Sequence, residues 1–219
     1  MSDLTKPAPA NEALRTLHQA YPRLHHYLQF STPLELLIAT ILSAQVRDDV
    51  VNATTTSLFK KYRTAEDYAR AELQQLIKEI GAVSYPAAKA KHIREACQEL
   101  ARKHGGGVPR TMADLVALPG IGRKSANAIL QNAFDVVEGI VVDTHVLRVA
   151  YRLGWTDTEK NAEKAEKQLM ELLPRGEWKR FPWLMKAHGR AVCRAPVPRC
   201  SQCPVTRRCP KRGVAQVQR

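Results

Sequence analysis

Apolar residues recur at spacings of three and four along most of this chain, the signature of helices with one buried face. Leu14, Leu17 and Tyr21 begin the pattern. From Leu34 to Leu42 the stretch is almost continuously apolar, broken only by Glu35 and Thr40, which predicts a largely buried central helix. Leu73, Leu76, Ile77 and Ile80 repeat the amphipathic spacing, and Gly81 supplies a helix stop. Pro86 to Lys103 predicts another helix, ended by His104-Gly105-Gly106-Gly107. Its face of Ile93, Ala96 and Leu100 takes in Cys97, which reads as a buried, inert thiol. Only Val136–Val142 looks extended. The reading is nine or ten helices, no sheet and no internal repeat, hence an all-α protein. Residues 1–10, polar with two prolines, are expected to be loose.

Charge changes this picture. The 219 residues hold 34 Lys and Arg against 21 Asp and Glu, a net charge of +13. From Trp178 to the end there are eleven basic residues and no acidic one, so this segment carries +11 and the first 177 residues only +2. A near-neutral body with a strongly basic end points to a polyanionic partner. No run of eighteen apolar residues could span a membrane, and the first residues lack a basic-then-apolar leader, so a cytoplasmic protein is expected.

Met112–Ala117 reads as a short helix capped by Thr111, and a second helix runs from Arg123 to about Gln131. Between them lies Leu118-Pro119-Gly120-Ile121-Gly122. Two glycines around one apolar residue allow a tight turn, with Ile121 packed inward and backbone N–H groups open to a close ligand. The next helix starts at once, so its unpaired N–H groups and dipole favour an anion, a phosphate above all. Lys124 lies in the first turn of that helix. The dipole and the neighbouring Arg123 favour its neutral amine, which is nucleophilic; a phosphate-binding lysine fits the position equally well. Asp143, after Ile140-Val141-Val142, has the place of a helix N-cap or of a carboxylate at a cleft edge.

Four of the five cysteines, Cys193, Cys200, Cys203 and Cys209, fall in the last 27 residues as C-x6-C-x2-C-x5-C. Such clustered thiolates bind zinc or an iron–sulfur cluster. Zinc ribbons commonly use two C-x2-C pairs and this segment has one, which favours the cluster. Arg194, Arg199, Arg207 and Arg208 stand around it, as backbone contacts or as a solvated basic face.

Taken together, these segments resemble the endonuclease III family of helix-hairpin-helix DNA glycosylases. LPGIGRKSANAIL is similar to the family's hairpin, VVDTHVLRV to its VDTH segment, Ser43-Ala44-Gln45 to its SAQ segment, and the cysteine spacing to its [4Fe–4S] loop. The resemblance spans about residue 12 to Cys209. It implies two helical domains with a DNA cleft between them. One is a six-helix domain of residues 26–136 with the hairpin; the other joins residues 1–25 to 137–219 around the cluster. It implies a bifunctional glycosylase/AP lyase of base excision repair, acting as a monomer on double-stranded DNA with damaged bases (oxidised pyrimidines are the family expectation) or abasic sites. Lys124 inherits the role of nucleophile and Asp143 that of its partner. Gln45 inherits the filling of the gap left by a flipped nucleotide. Arg47, Leu118, Gly120, Gly122, Arg123, His145 and Arg190 fall at DNA-contacting places, and the four cysteines hold the cluster, lowering the basic end to about +9.

Two departures stand out. Arg47 replaces a threonine-type residue. The family's wedge leucine, in IGLYNSKA, has no counterpart in the longer Ile80-Gly81-Ala82-Val83-Ser84-Tyr85-Pro86-Ala87-Ala88-Lys89-Ala90-Lys91, where Val83 or Tyr85 is the substitute and weaker activity or an altered lesion range is expected. The alternative is a non-catalytic or weakly active DNA-binding iron–sulfur protein.

Overall fold

The computed structural model describes residues 6–217 and contains helices and turns only. Among the described residues eleven α-helices form: α1 Ala10–Ala20, α2 Pro33–Leu42, α3 Asp48–Lys61, α4 Ala65–Arg70, α5 Leu73–Glu79, α6 Pro86–Lys103, α7 Met112–Val116, α8 Arg123–Ala133, α9 Thr144–Arg152, α10 Ala162–Leu172 and α11 Phe181–Ala191. Short 3₁₀ turns add Arg175–Glu177 and Cys200–Gln202. No described helix is long and apolar enough to cross a membrane. The chain divides into two compact units, residues 26–136 and residues 1–25 with 137–219.

The unit of residues 26–136 is built around α2. Thr32 caps α2 by accepting from the Glu35 N–H, and Pro33 presets its first turn. All seven residues from Leu36 to Leu42 are buried. Each large aliphatic side chain so buried stabilises by roughly 1.5–3 kcal/mol. Around it pack α3 to α8, with Ile93, Ala96, Cys97 and Leu100 of α6 fully inside. Burial pushes the Cys97 thiol up to about 12, which fits an inert residue. Three of the seven helices here are brief. Among them, α4 starts at a reciprocal Thr64–Asp67 capping box and α5 at Glu72, whose carboxylate accepts from Gln74 and Gln75 N–H groups.

The other unit combines α1 with α9, α10 and α11. Its core holds Leu14, Leu17, Val146, Val149, Leu169, Phe181 and Leu184. The expectation of a loose N-terminus is overturned for residues 6–10; residues 1–5 lie outside the described residues. Ala8 is buried, its N–H donates to Leu153 O at 2.9 Å, and its carbonyl accepts from Trp155 Nε1 at 2.7 Å. Buried backbone groups must be paired, and these bonds fix the leading segment to the turn that follows α9 before α1 begins. Val136–Val142 forms no strand; Ile140 and Val142 bury their side chains in this same core.

Candidate functional site

The two glycines of the hairpin differ in their reasons. Gly120 has φ +80°, a left-handed conformation, and a Cβ there would come within 3.0 Å of the His92 side chain. Gly122 has φ −93°, open to any residue, and a Cβ there would meet nothing within 4 Å. Its lack of a side chain therefore serves no internal packing and leaves the space before α8 clear. Ile121 is buried and its N–H closes the turn on Leu118 O at 3.1 Å. Leu118 is buried too, so only its backbone can meet a ligand. Gly122 gives α8 no side-chain cap, and a helix start of this kind suits an anionic acceptor. Arg123 and Lys124 are exposed in that first turn.

In the same unit, α2 ends at Leu42 and the chain turns through Ser43-Ala44-Gln45. Gln45 is exposed and holds φ +57°, which costs a non-glycine residue roughly 1–2 kcal/mol. Its carbonyl accepts from Ser84 Oγ at 3.2 Å. Arg47 precedes α3 and lies against Asp49, with Nε donating to Oδ1 at 3.0 Å. This pair is exposed, so it competes weakly with water and salt. In the loop before α6 the two wedge candidates separate cleanly: Val83 is 3% exposed and Tyr85 66%. Tyr85 also has φ +56°, projecting from the turn that starts α6.

In the other unit, Asp143 caps α9. Its Oδ1 accepts both the His145 and the Val146 N–H, at 2.8 and 2.9 Å. Both bonds use one oxygen, so the second carboxylate oxygen lies outside the cap. His145 is half-buried, and burial, ahead of the opposing effect of Asp143, lowers its pKa. Its Nδ1 pairs with Arg148 Nη2 at 3.1 Å, and the same Nη2 donates to Gly189 O at 3.1 Å. A Cβ on Gly189 would meet His145 Nδ1 at 2.7 Å and Arg148 Nη2 at 3.0 Å. Gly189→Ala should therefore cost about 1–3 kcal/mol by overpacking, a fall of several degrees in Tm at this chain length. An unchanged thermal unfolding curve would contradict this contact. Arg190, next in α11, is exposed.

The four clustered cysteines line one pocket with Arg152, His188 and Lys211. Among the described residues no group of three or more His, Cys, Asp or Glu side chains is set to hold a metal ion. Burial pushes the Cys203 thiol up to about 12 and raises Cys200 and Cys209 as well, with Cys193 adding to each. Bare thiolates are thus disfavoured here, and a cationic core is what would stabilise them. Arg208 of this segment pairs with Glu12, so it is partly neutralised within its own unit.

Several of these residues escape a reading of periodicity. Arg152 is 8% exposed; its guanidinium donates to Arg194 O at 2.7 Å and Pro196 O at 3.2 Å, and Nη1 lies 3.5 Å from Cys193 Sγ. Arg148 Nε donates to Cys193 O at 3.0 Å. These two arginines, one turn apart on α9, hold the start of the cysteine segment. His188, 1% exposed, pairs through Nδ1 with Tyr21 OH at 3.0 Å and lies 3.7 Å from Cys203 Sγ through Nε2.

Residues 38–175 match the model of the HhH-GPD superfamily of base excision DNA repair proteins. Endonuclease III of Synechocystis sp. is 39% identical over 94% of this chain and 94% of its own. That of Escherichia coli is 38% identical over 88% of this chain and 90% of its own. Among solved structures, a trapped endonuclease III–DNA covalent intermediate superposes with a TM-score of 0.87 at 40% identity, covering 91% of this chain and 93% of that one. The chain belongs to the endonuclease III family, within the HhH-GPD superfamily of base excision DNA repair proteins.

Proposed function

We propose that this protein is a bifunctional DNA glycosylase/AP lyase that removes damaged bases, oxidised pyrimidines among them, from duplex DNA. One observation carries the reading: an exposed lysine in the first turn of a helix whose leading N–H groups have no side-chain cap, directly after a hairpin kept clear at Gly122. The uncapped N–H groups receive a backbone phosphate without reading sequence, and that contact brings the sugar of an extruded nucleotide to Lys124. The Lys124 amine attacks C1′ and the glycosidic bond breaks, its electron pair leaving with the base. The amine loses a proton, the sugar ring opens, and a Schiff base forms between Nζ and C1′. A base then removes a C2′ proton, and the C3′–O bond breaks with its electrons on the 3′ phosphate. Asp143, with one oxygen fixed in its cap and one outside it, offsets positive charge on the sugar and relays protons. That a related protein has been trapped as a covalent intermediate with DNA supports this route.

The same reading gives Gln45 the gap left by the extruded nucleotide and Tyr85 the wedge. Val83 belongs to the core, whereas the exposed ring of Tyr85 offers a flat face for an unstacked base. Stacking of this kind contributes about 1–3 kcal/mol per base, so Tyr85→Ala should slow base release from paired duplex roughly tenfold or more. Release at the wild-type rate would remove Tyr85 from this role. His145, Arg190 and Arg123 are read as contacts to DNA backbone. The four cysteines line one pocket and suit a [4Fe–4S] cluster, which when bound would crosslink and order the basic segment; their spacing, with a single C-x2-C pair, favours it over zinc.

The test is a panel of duplexes, each with one damaged base or an abasic site, scored separately for base release and strand cleavage. Release and cleavage on at least one damaged pyrimidine support the reading. Binding without either would leave a DNA-binding iron–sulfur protein.

A further inference from the structure

Lys89, in the first turn of α6, is 5% exposed. Its ammonium donates to two backbone carbonyls, Leu42 O at 2.8 Å and Ala44 O at 2.7 Å. Those oxygens end α2, where carbonyls lack partners within the helix and the dipole is negative. Ser84 Oγ takes the next carbonyl, that of Gln45. Three oxygens of the turn after α2 are therefore held by side chains from the segment 84–89. A buried cation is tolerated only where polar partners replace its water, and burial does lower the Lys89 pKa. A plain hydrophobic residue would fill this core position without that cost, so the lysine is there for the carbonyls.

What those carbonyls control is the conformation of Gln45. Its φ of +57° is one that a non-glycine residue adopts only when its surroundings enforce it. We infer that Lys89 is a positioning residue: it fixes the Ser43–Gln45 turn so that Gln45 presents its side chain to the gap left by an extruded nucleotide, in register with Tyr85 on the same clamped segment. This rests on the gap-filling role proposed for Gln45.

The experiment compares Lys89→Met, Gln45→Ala and the double variant under single-turnover conditions. Two rates are measured for each: base release from a lesion in paired duplex, and strand cleavage at an abasic site in single-stranded DNA, where no partner strand leaves a gap. Lys89→Met should lower the ratio of the first rate to the second about tenfold, equivalent to about 1.4 kcal/mol of transition-state stabilisation, and should add nothing further to Gln45→Ala. If Lys89→Met fails to fold, Lys89→Gln keeps one donor and should lower the ratio less. An impaired Gln45→Ala beside a normal ratio for the Lys89 variants would overturn the inference alone. An equal fall in both rates, or a further loss on the Gln45→Ala background, would reduce Lys89 to a structural role. A normal Gln45→Ala would overturn the gap-filling reading and this inference with it.

Discussion

Lys124→Gln should abolish strand cleavage and covalent capture while leaving the fold and DNA binding in place. The side chain is exposed, so no packing is lost. The change also removes a positive charge from the positive end of the α8 dipole, which leaves stability unchanged or slightly higher. An amide is not a nucleophile and cannot form a Schiff base, so the covalent route is closed. Loss of an activated nucleophile typically lowers turnover by roughly 10³-fold or more. Two measurements separate chemistry from binding. Borohydride reduction with lesion-containing duplex should give a protein–DNA adduct for the natural sequence and none for the variant. Retention of duplex in a binding assay should stay within a fewfold. Asp143→Asn is the companion: asparagine still caps α9 through its carbonyl oxygen, so a fall in turnover there reports the charge of the carboxylate. A persistent adduct with Lys124→Gln would assign the nucleophile to another amine and sink the mechanism.

The elements behind that prediction are legible in the sequence because they obey local rules. Thr111, Gly120, Ile121 and Asp143 are read from capping and turn chemistry, and each has the geometry expected of it. The central helix and the Cys97 face follow from periodicity. What the sequence conceals is polar chemistry on buried faces. Lys89 falls four residues before Ile93 on the α6 stripe that continues through Cys97 to Leu100, so its place on the apolar side was visible. A lone lysine near a helix start nonetheless reads as solvated unless its acceptors are known, and those lie 45 and 47 residues away in the chain. Arg152 is hidden in the same way among Val149, Ala150 and Leu153. The wedge loop offers no period at all, so Val83 and Tyr85 could be ranked only by their burial. The two hairpin glycines look alike in sequence; their different φ angles decide that one serves the turn and the other the ligand.

Cys203→Ser should strip the protein of iron and release the C-terminal segment while the helices persist. From Cys193 to Pro210 the only regular structure is a single 3₁₀ turn. Val205 and Cys209 reach the core, and Arg148 and Arg152 grip only the beginning of the segment, at Cys193, Arg194 and Pro196. Its far half is tied by Cys209 Sγ to Arg152 O at 3.2 Å, by Arg208 to Glu12, and by Cys203 Sγ against His188 Nε2 at 3.7 Å. An irregular run this long without its own core needs crosslinks to stay ordered, and metal–thiolate bonds are the crosslinks its four cysteines can provide. The helices α1, α9, α10 and α11 share a hydrophobic core of their own, so helical circular dichroism should change little. Trypsin should then cut the freed segment at Arg199, Arg207 or Arg208, sites that resist cleavage while the crosslinks hold. Iron analysis and the visible absorption of the natural protein supply the second readout. Stoichiometric zinc with no iron would replace the cluster with a mononuclear site, and a variant that keeps both its iron and its protease resistance would remove Cys203 from the ligand set. The basic charge of the segment is the same in both proteins, so loss of DNA affinity in the variant at constant salt would mean that ordering that charge, and not merely carrying it, is what binds the backbone.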